Sequence, residues 1–343
     1  MADPGFPFPA GGARAKVLVA GASGYAGALA ARLVAGHPRM QLVHVTSRSD
    51  VGRRLDDLYP HHRVPLELTE LDVDAMAPGV DAAIVAYPHG AAAPTVAALR
   101  DHGVKVVDLS ADFRLRDVGV YEEWYVPHPA PGLVEGAVYG LPERYRSYLR
   151  GADLVAGPGC FPTAAVLALA PLAPWIEDVV IDAKTGVSGA GRAATDRTHF
   201  VAVDENVSAY GVGRHRHTPE IDQELEAAGA VNLQVTFVPH LLPLDQGELV
   251  SCYVTLRPDA DVDPALAFAE AYAEEPFVEL AEKPPGVRDV RETNMCRIHV
   301  AEDPRTGKVM VFAAIDNLWK GTSSQAVQSL NLMLGFDETD GLR

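Results

Sequence analysis

Residues 16–35 narrow the possible folds more than any other part of this chain. Lys16-Val17-Leu18-Val19-Ala20 is an apolar run of strand length, and Gly21-Ala22-Ser23-Gly24-Tyr25-Ala26-Gly27 follows it directly. Ala26–Ala35 then has helical composition, ended by Gly36-His37-Pro38. A strand, a glycine turn and a helix in that order open a βαβ unit, in which the turn lays backbone amides at a helix N-terminus against a pyrophosphate. A plain strand-to-helix turn is the alternative.

The rhythm continues. Gln41–Thr46, Ala82–Ala86, Val104–Leu109 and Leu154–Ala156 read as further strands, with a helix over Ala91–His102 closed by Gly103. These alternating elements predict a parallel, doubly wound sheet. From about Val179 the texture changes. Val179–Lys184, Gln234–Pro239, Leu249–Leu256, Met295–Val300 and Val309–Ala314 are strand-like with few helices between them, which predicts an antiparallel sheet with helices on one face. Gly321–Leu334 reads as one last helix.

The second strand predicts the cofactor. An acidic residue at its end would hold the ribose hydroxyl of NAD, but here the chain reads Thr46-Ser47-Arg48-Ser49. Hydroxyls and an arginine suit a 2′-phosphate, so NADP(H) is expected on Gly21, Ser23, Gly24, Tyr25, Ala26, Ser47 and Arg48, with Arg53 and Arg54 as possible helpers and a solvated basic loop as the alternative.

Cys160 carries the chemistry. It lies in Gly157-Pro158-Gly159-Cys160-Phe161-Pro162-Thr163, before the apolar run Ala164–Ala170. Gly159 permits a tight turn and Pro162 suits a first helical turn. The thiol is then at a helix N-terminus, where the dipole favours the thiolate and hence a nucleophile. Cys252 and Cys296 fall inside strand-like stretches and read as core residues, with no metal-ligand spacing.

The segments Gly21–Gly27, Asp108–Arg114, Gly159–Thr163, Ser188–Arg192, His215–Ile221, Pro239–Pro243 and Ile315–Gly321 together resemble N-acetyl-γ-glutamyl-phosphate reductases, in that family's order and over nearly the whole chain after the first residues. The resemblance implies an α/β Rossmann domain plus an α+β catalytic domain of the glyceraldehyde-3-phosphate/aspartate-semialdehyde dehydrogenase type. It also implies NADPH-dependent reduction of an acyl phosphate through a thioester on Cys160, as a step of arginine biosynthesis, with His217 as general acid/base. A capping histidine is the bland alternative for His217, and His215 reads as support for its loop. Ser188 and Gly189 are expected at the cofactor, Asn317 at its nicotinamide carboxamide, and Pro88 along it. Ser110 and Arg114 are expected at the leaving phosphate, or else in a structural pair of Asp112 with Arg114. Arg216 and Glu220 are expected at the substrate, Glu220 orienting His217 or Arg216 or favouring its helix N-terminus.

Two positions depart from the family's pattern. Gln246 stands where an arginine is expected and Arg214 where a smaller residue is, which leaves the acyl group open. A carrier-protein-bound aminoadipyl or glutamyl phosphate is the alternative substrate, and a non-catalytic dinucleotide sensor a remote one.

A formal net charge of -17 argues against nucleic acid or an anionic membrane as partner. No run of 18 apolar residues exists, and Met1–Ala15 has no apolar core of a signal peptide. The expectation is a cytoplasmic homotetramer or homodimer with a disordered tail over 1–14, a nucleotide-binding domain over 15–159 and 317–343, and a catalytic domain over 160–316.

Overall fold

The computed structural model describes residues 14–342, so all of the tail expected at the start except Arg14 lies outside the described residues. The chain forms two compact units. One holds the described residues up to Gly157 and from Ser323 on, the other Pro158–Thr322.

The first unit is built on a six-stranded sheet: β1 (Ala15–Ala20), β2 (Met40–Thr46), β3 (Ala82–Val85), β4 (Lys105–Asp108), β5 (Ala137–Tyr139) and β6 (Leu154–Ala156). Their order is β2-β1-β3-β4-β6-β5 and every pairing is parallel. Val17, Val19, Ile84 and Val107 are fully buried, as strands covered on both faces require. Helices α1 (Tyr25–Ala35) and α2 (Ala93–Asp101) follow β1 and β3. The order reverses at β1, so the turn after β1 lies at the switch point where such sheets bind ligands. The edge strand β5 was not among the expected elements. With three residues, it owes its strand geometry to pairing with β6 rather than to a pattern of its own.

The second unit begins with α3 (Cys160–Leu169), continues through β7 (Ile176–Thr185), β8 (Ser208–Ala209), α4 (Thr218–Ala227), β9 (Gln234–Leu241), β10 (Glu248–Leu256), β11 (Val278–Leu280) and β12 (Cys296–Glu302), and reaches β13 (Val309–Ile315). Its sheet order is β11-β12-β13-β10-β7-β9-β8. The expected antiparallel sheet is in fact mixed, because β7 with β9 and β11 with β12 pair in parallel. The connection from β7 to β9 includes β8 and α4, and a crossover of that length carries the chain back to the end at which β7 began, which makes β9 parallel to β7. Helix α3 is buried along its length except at Cys160 and packs on β10 and β13. Cys252 and Cys296 are core residues of β10 and β12, 1% and 0% exposed.

The last helix is shorter than expected. Residues Trp319–Ser323 form a π-helical turn before α5 (Ser324–Met333), which belongs to the first unit. The Asp316 carboxylate accepts the amides of Leu318 and Trp319, while the Asp316 carbonyl accepts the Gly321 amide at 2.9 Å. These bonds wind the turn wider than an α-helix.

Candidate active site

In the first unit the glycines are demanded by the backbone. Gly21 has φ +80°, and a Cβ there would lie 2.5 Å from the Ala86 carbonyl oxygen. A Cβ on Gly27 would lie 2.2 Å from the Gly21 carbonyl oxygen. Helix α1 therefore starts hard against β1 with its first-turn amides clear of side chains. Beside it the Ser23 and Ser47 hydroxyls are 2.8 Å apart, and Ser47 Oγ also accepts the amides of Ser49 and Asp50. Arg48 is exposed, with its guanidinium 4.4 Å from the centre of the Tyr87 ring. Arg53 and Arg54 are engaged with Asp50 and Asp56 respectively. Pro88 is exposed in the loop after β3. A helix N-terminus seated hard against β1, together with hydroxyls and an exposed arginine at the end of β2, fits a dinucleotide carrying a 2′-phosphate.

The Asp108–Arg114 loop of the same unit is a closed hydrogen-bond system. Ser110 Oγ donates to Asp108 at 2.5 Å and accepts the Asp112 amide. Burial pushes the Asp108 carboxyl up to about 7, its bonds from Ser110 opposing the rise. Asp112 accepts the amides of Gly90, Ala92 and Ala93 and the Tyr121 hydroxyl, so it anchors the start of α2. Arg114 is buried and donates to the carbonyls of Gly157 and Leu109.

In the second unit Cys160 is the first residue of α3, and Pro162 is in the first turn. The expected reason for Gly159 needs correction. Its φ of -67° and ψ of 153° suit any residue. A Cβ on it, however, would lie 2.5 Å from His217 Nε2. The glycine makes room for an imidazole packed directly against the residue before Cys160. Gly321 plays the same part from the other side, because a Cβ there would lie 2.8 Å from Cys160 Cβ.

His217 precedes α4 but makes no side-chain cap to it. Its amide donates to His215 Nδ1 at 3.2 Å, and its ring lies edge-on to those of His215 and Phe161. Burial, then the Arg216 charge, pull the His215 imidazole down to about 4, so His215 is neutral around pH 7 and supports its neighbour. Arg214 and Arg216 are exposed. Glu220, 1% exposed, accepts the Gly159 amide at 2.8 Å, fastening α4 to the cysteine turn across 61 residues of sequence. Asn317 is also buried. Its Oδ1 accepts the Gly247 amide at 2.7 Å and its Nδ2 donates to Ser188 Oγ at 3.1 Å. Gly189 lies beside that pair, and Gln246 is half-buried in the adjacent loop.

Sequence reasoning missed Glu248. Its side chain is fully buried at the start of β10, and Cys160 and Thr185 are its polar neighbours. Burial pushes its carboxyl up to about 8. Asp316 raises it further, against the effect of Cys160 and Thr185.

Residues 16–152 match the semialdehyde dehydrogenase NAD binding domain, and residues 160–317 the semialdehyde dehydrogenase dimerisation domain. The chain is 49% identical to an N-acetyl-gamma-glutamyl-phosphate reductase of Desulforudis audaxviator over 95% of its own length and 97% of the relative's. It is 48% identical to one of Rubrobacter xylanophilus over 95% and 98%. Among solved structures, aspartate semialdehyde dehydrogenase II of Vibrio cholerae superposes with a TM-score of 0.72 at 17% identity, over 94% of this chain and 99% of that one. At that identity the likeness is one of fold.

Proposed function

This chain belongs to the N-acetyl-γ-glutamyl-phosphate reductase family, and from that premise we propose that it reduces N-acetyl-γ-glutamyl phosphate to N-acetylglutamate 5-semialdehyde and phosphate through a thioester on Cys160, a step of arginine biosynthesis. The observation that carries this reading is the packing of His217 Nε2 against Gly159, next to the thiol. The Cys160 sulfur attacks the acyl carbon, and the carbon–oxygen bond to phosphate breaks with its electron pair leaving on phosphate. NADPH supplies hydride to the thioester carbonyl. His217 gives a proton to the oxygen of that carbonyl and takes it back as the carbon–sulfur bond breaks, releasing aldehyde and thiolate. Glu220 holds the Gly159 amide and so fixes the turn from which the sulfur points.

In this reading NADPH lies on Gly21, Ser23, Gly24, Tyr25 and Ala26, with its 2′-phosphate at Ser47 and Arg48 and Pro88 along its length. Ser188, Gly189 and Asn317 serve its nicotinamide end. Exposed Arg216 serves the phosphate and acyl group, while Ser110 and Arg114, engaged with their own loop, hold it in shape. The match of residues 160–317 to a dimerisation domain supports a homodimer or homotetramer. No helix among the described residues is long and apolar enough to cross a membrane. None of the three cysteines is in a disulfide, which supports action in the reducing cytoplasm.

The test is the reverse reaction, followed as NADPH formed from NADP, N-acetylglutamate semialdehyde and phosphate. Phosphate-dependent turnover is expected in the wild type, with a loss of about 1000-fold or more in Cys160→Ser at unchanged NADPH affinity. Turnover that survives Cys160→Ser overturns the assignment.

A further inference from the structure

We infer that Glu248 is a positioning residue for Cys160: its protonated carboxyl, closed in beneath the first turn of α3, donates to the thiolate, and the sulfur and carboxyl share one negative charge. This rests on Cys160 being the nucleophile.

The placement follows from sheet register. Glu248 pairs across β10 with Thr185 of β7 on one side and with Ile315 of β13 on the other. Directly paired residues present their side chains on one face of a sheet. Ile315 Cδ1 and Cys160 Cβ both border the space left by Gly321, at 3.3 Å and 2.8 Å from its missing Cβ. The face that holds Glu248 is thus the face that α3 covers with its N-terminus. Tyr210 is near enough to feel both groups. Its hydroxyl is held above its ordinary range by burial and then by Cys160 and Glu248 together. The groups that act on this carboxyl are therefore Cys160 from α3 and Thr185 from β7 at close range, with the charges of Tyr210 beyond β8 and Asp316 beyond β13.

Both Glu248 oxygens, and Thr185 Oγ1, are buried without a formed hydrogen bond. Cys160 and Thr185 are the polar side chains close enough to act on the carboxyl. A buried carboxyl in that state is costly, and an apolar residue would fill the space at less cost. Such a group earns its place when a neighbour acquires a charge that it can satisfy, and a thiolate at Cys160 is that neighbour. Ionised, the same carboxyl opposes the thiolate, so the two groups titrate as a pair.

The experiment measures iodoacetamide alkylation of Cys160 against pH, with Cys160→Ser as blank, since Cys252 and Cys296 are buried. It reads the thiol directly and needs no substrate, so failure of the proposed reaction and failure of this inference are told apart. His217 lies beside the thiol in both proteins, so the wild-type profile is expected to show one step more than that of Glu248→Gln, while Glu248→Met reacts about tenfold more slowly at pH 7. Superimposable profiles for wild type and Glu248→Gln overturn the inference, as a merely packed glutamate requires. Thermal melting supplies a second readout. The folded-state value of about 8 lies above the ordinary 4.5, so stability owed to this group is complete below 4.5 and lost as pH rises through 8. Glu248→Gln should gain on the wild type across that window, and parallel melting curves would also overturn it.

Discussion

Two turns of this molecule look alike in sequence and differ in what their glycines are for. Each follows a strand, contains glycine and opens a helix: Gly21–Gly27 running into α1 and Gly157–Gly159 before α3. In the first, φ at Gly21 is +80° and the missing side chains give way to backbone oxygens. In the second, the backbone of Gly159 is ordinary and the missing side chain gives way to the His217 ring. One turn lets a helix start hard against its strand, the other clears space for the His217 imidazole. A glycine before a helix thus has no single meaning, and only its three-dimensional neighbour tells which use it serves.

The largest effect that separates the two is on turnover. Gly159→Ala should drive His217 away from Cys160 and lower kcat by about 100-fold, the scale of a lost general acid/base, while NADPH affinity stays unchanged. Gly21→Ala should do the opposite. Its strain of about 1–3 kcal/mol cannot be relieved by a rotating side chain, because the obstacle is the Ala86 carbonyl. Weaker NADPH binding in a fluorescence titration, and a lower melting temperature, are expected there. If Gly159→Ala lost cofactor affinity as Gly21→Ala does, the distinction between the turns would fail.

A smaller effect sharpens the account of the first turn. Arg48→Ala should weaken NADPH by about tenfold, or roughly 1.4 kcal/mol, and leave NADH nearly unaffected. Arg48 is exposed and rests on the Tyr87 face, so its removal disturbs little else. Equal losses for the two nucleotides would show that the 2′-phosphate is read elsewhere.

What sequence disclosed was local. The strand, turn and helix of residues 15–35 are written in adjacent residues, and so is the helix that starts at Cys160. What it hid was remote. Glu220 meets the Gly159 amide across 61 residues, and no spacing rule predicts that bond. Glu248 follows Gly247 at the head of a strand, where an acidic residue reads as a solvated end. Only the pairing of β10 between β7 and β13 turns it inward. The parallel pairing of β7 with β9 was hidden for the same reason, since a short apolar run carries no record of its direction. The π-turn over Trp319–Ser323 is set by the Asp316 carboxylate rather than by helix propensity, so composition alone read through it as one helix.

The smallest expected effect compares one buried carboxyl from each unit. Asp108 of the first unit, unlike Glu248 of the second, has its bonds made, two of them from Ser110. Burial still raises it from an ordinary 3.8 to about 7. The sign follows from linkage. Its stabilising contribution is complete below 3.8 and is lost as pH rises through about 7, because the folded state then holds a proton that the unfolded chain has released. Asp108→Asn cannot ionise, but it also loses part of the Ser110 network. It should therefore be less stable than the wild type at pH 4 and recover about 1 kcal/mol relative to it by pH 8 in urea unfolding. A constant difference between the two proteins over that range would mean that Asp108 is ionised when folded, and that the Ser110 bonds outweigh its burial.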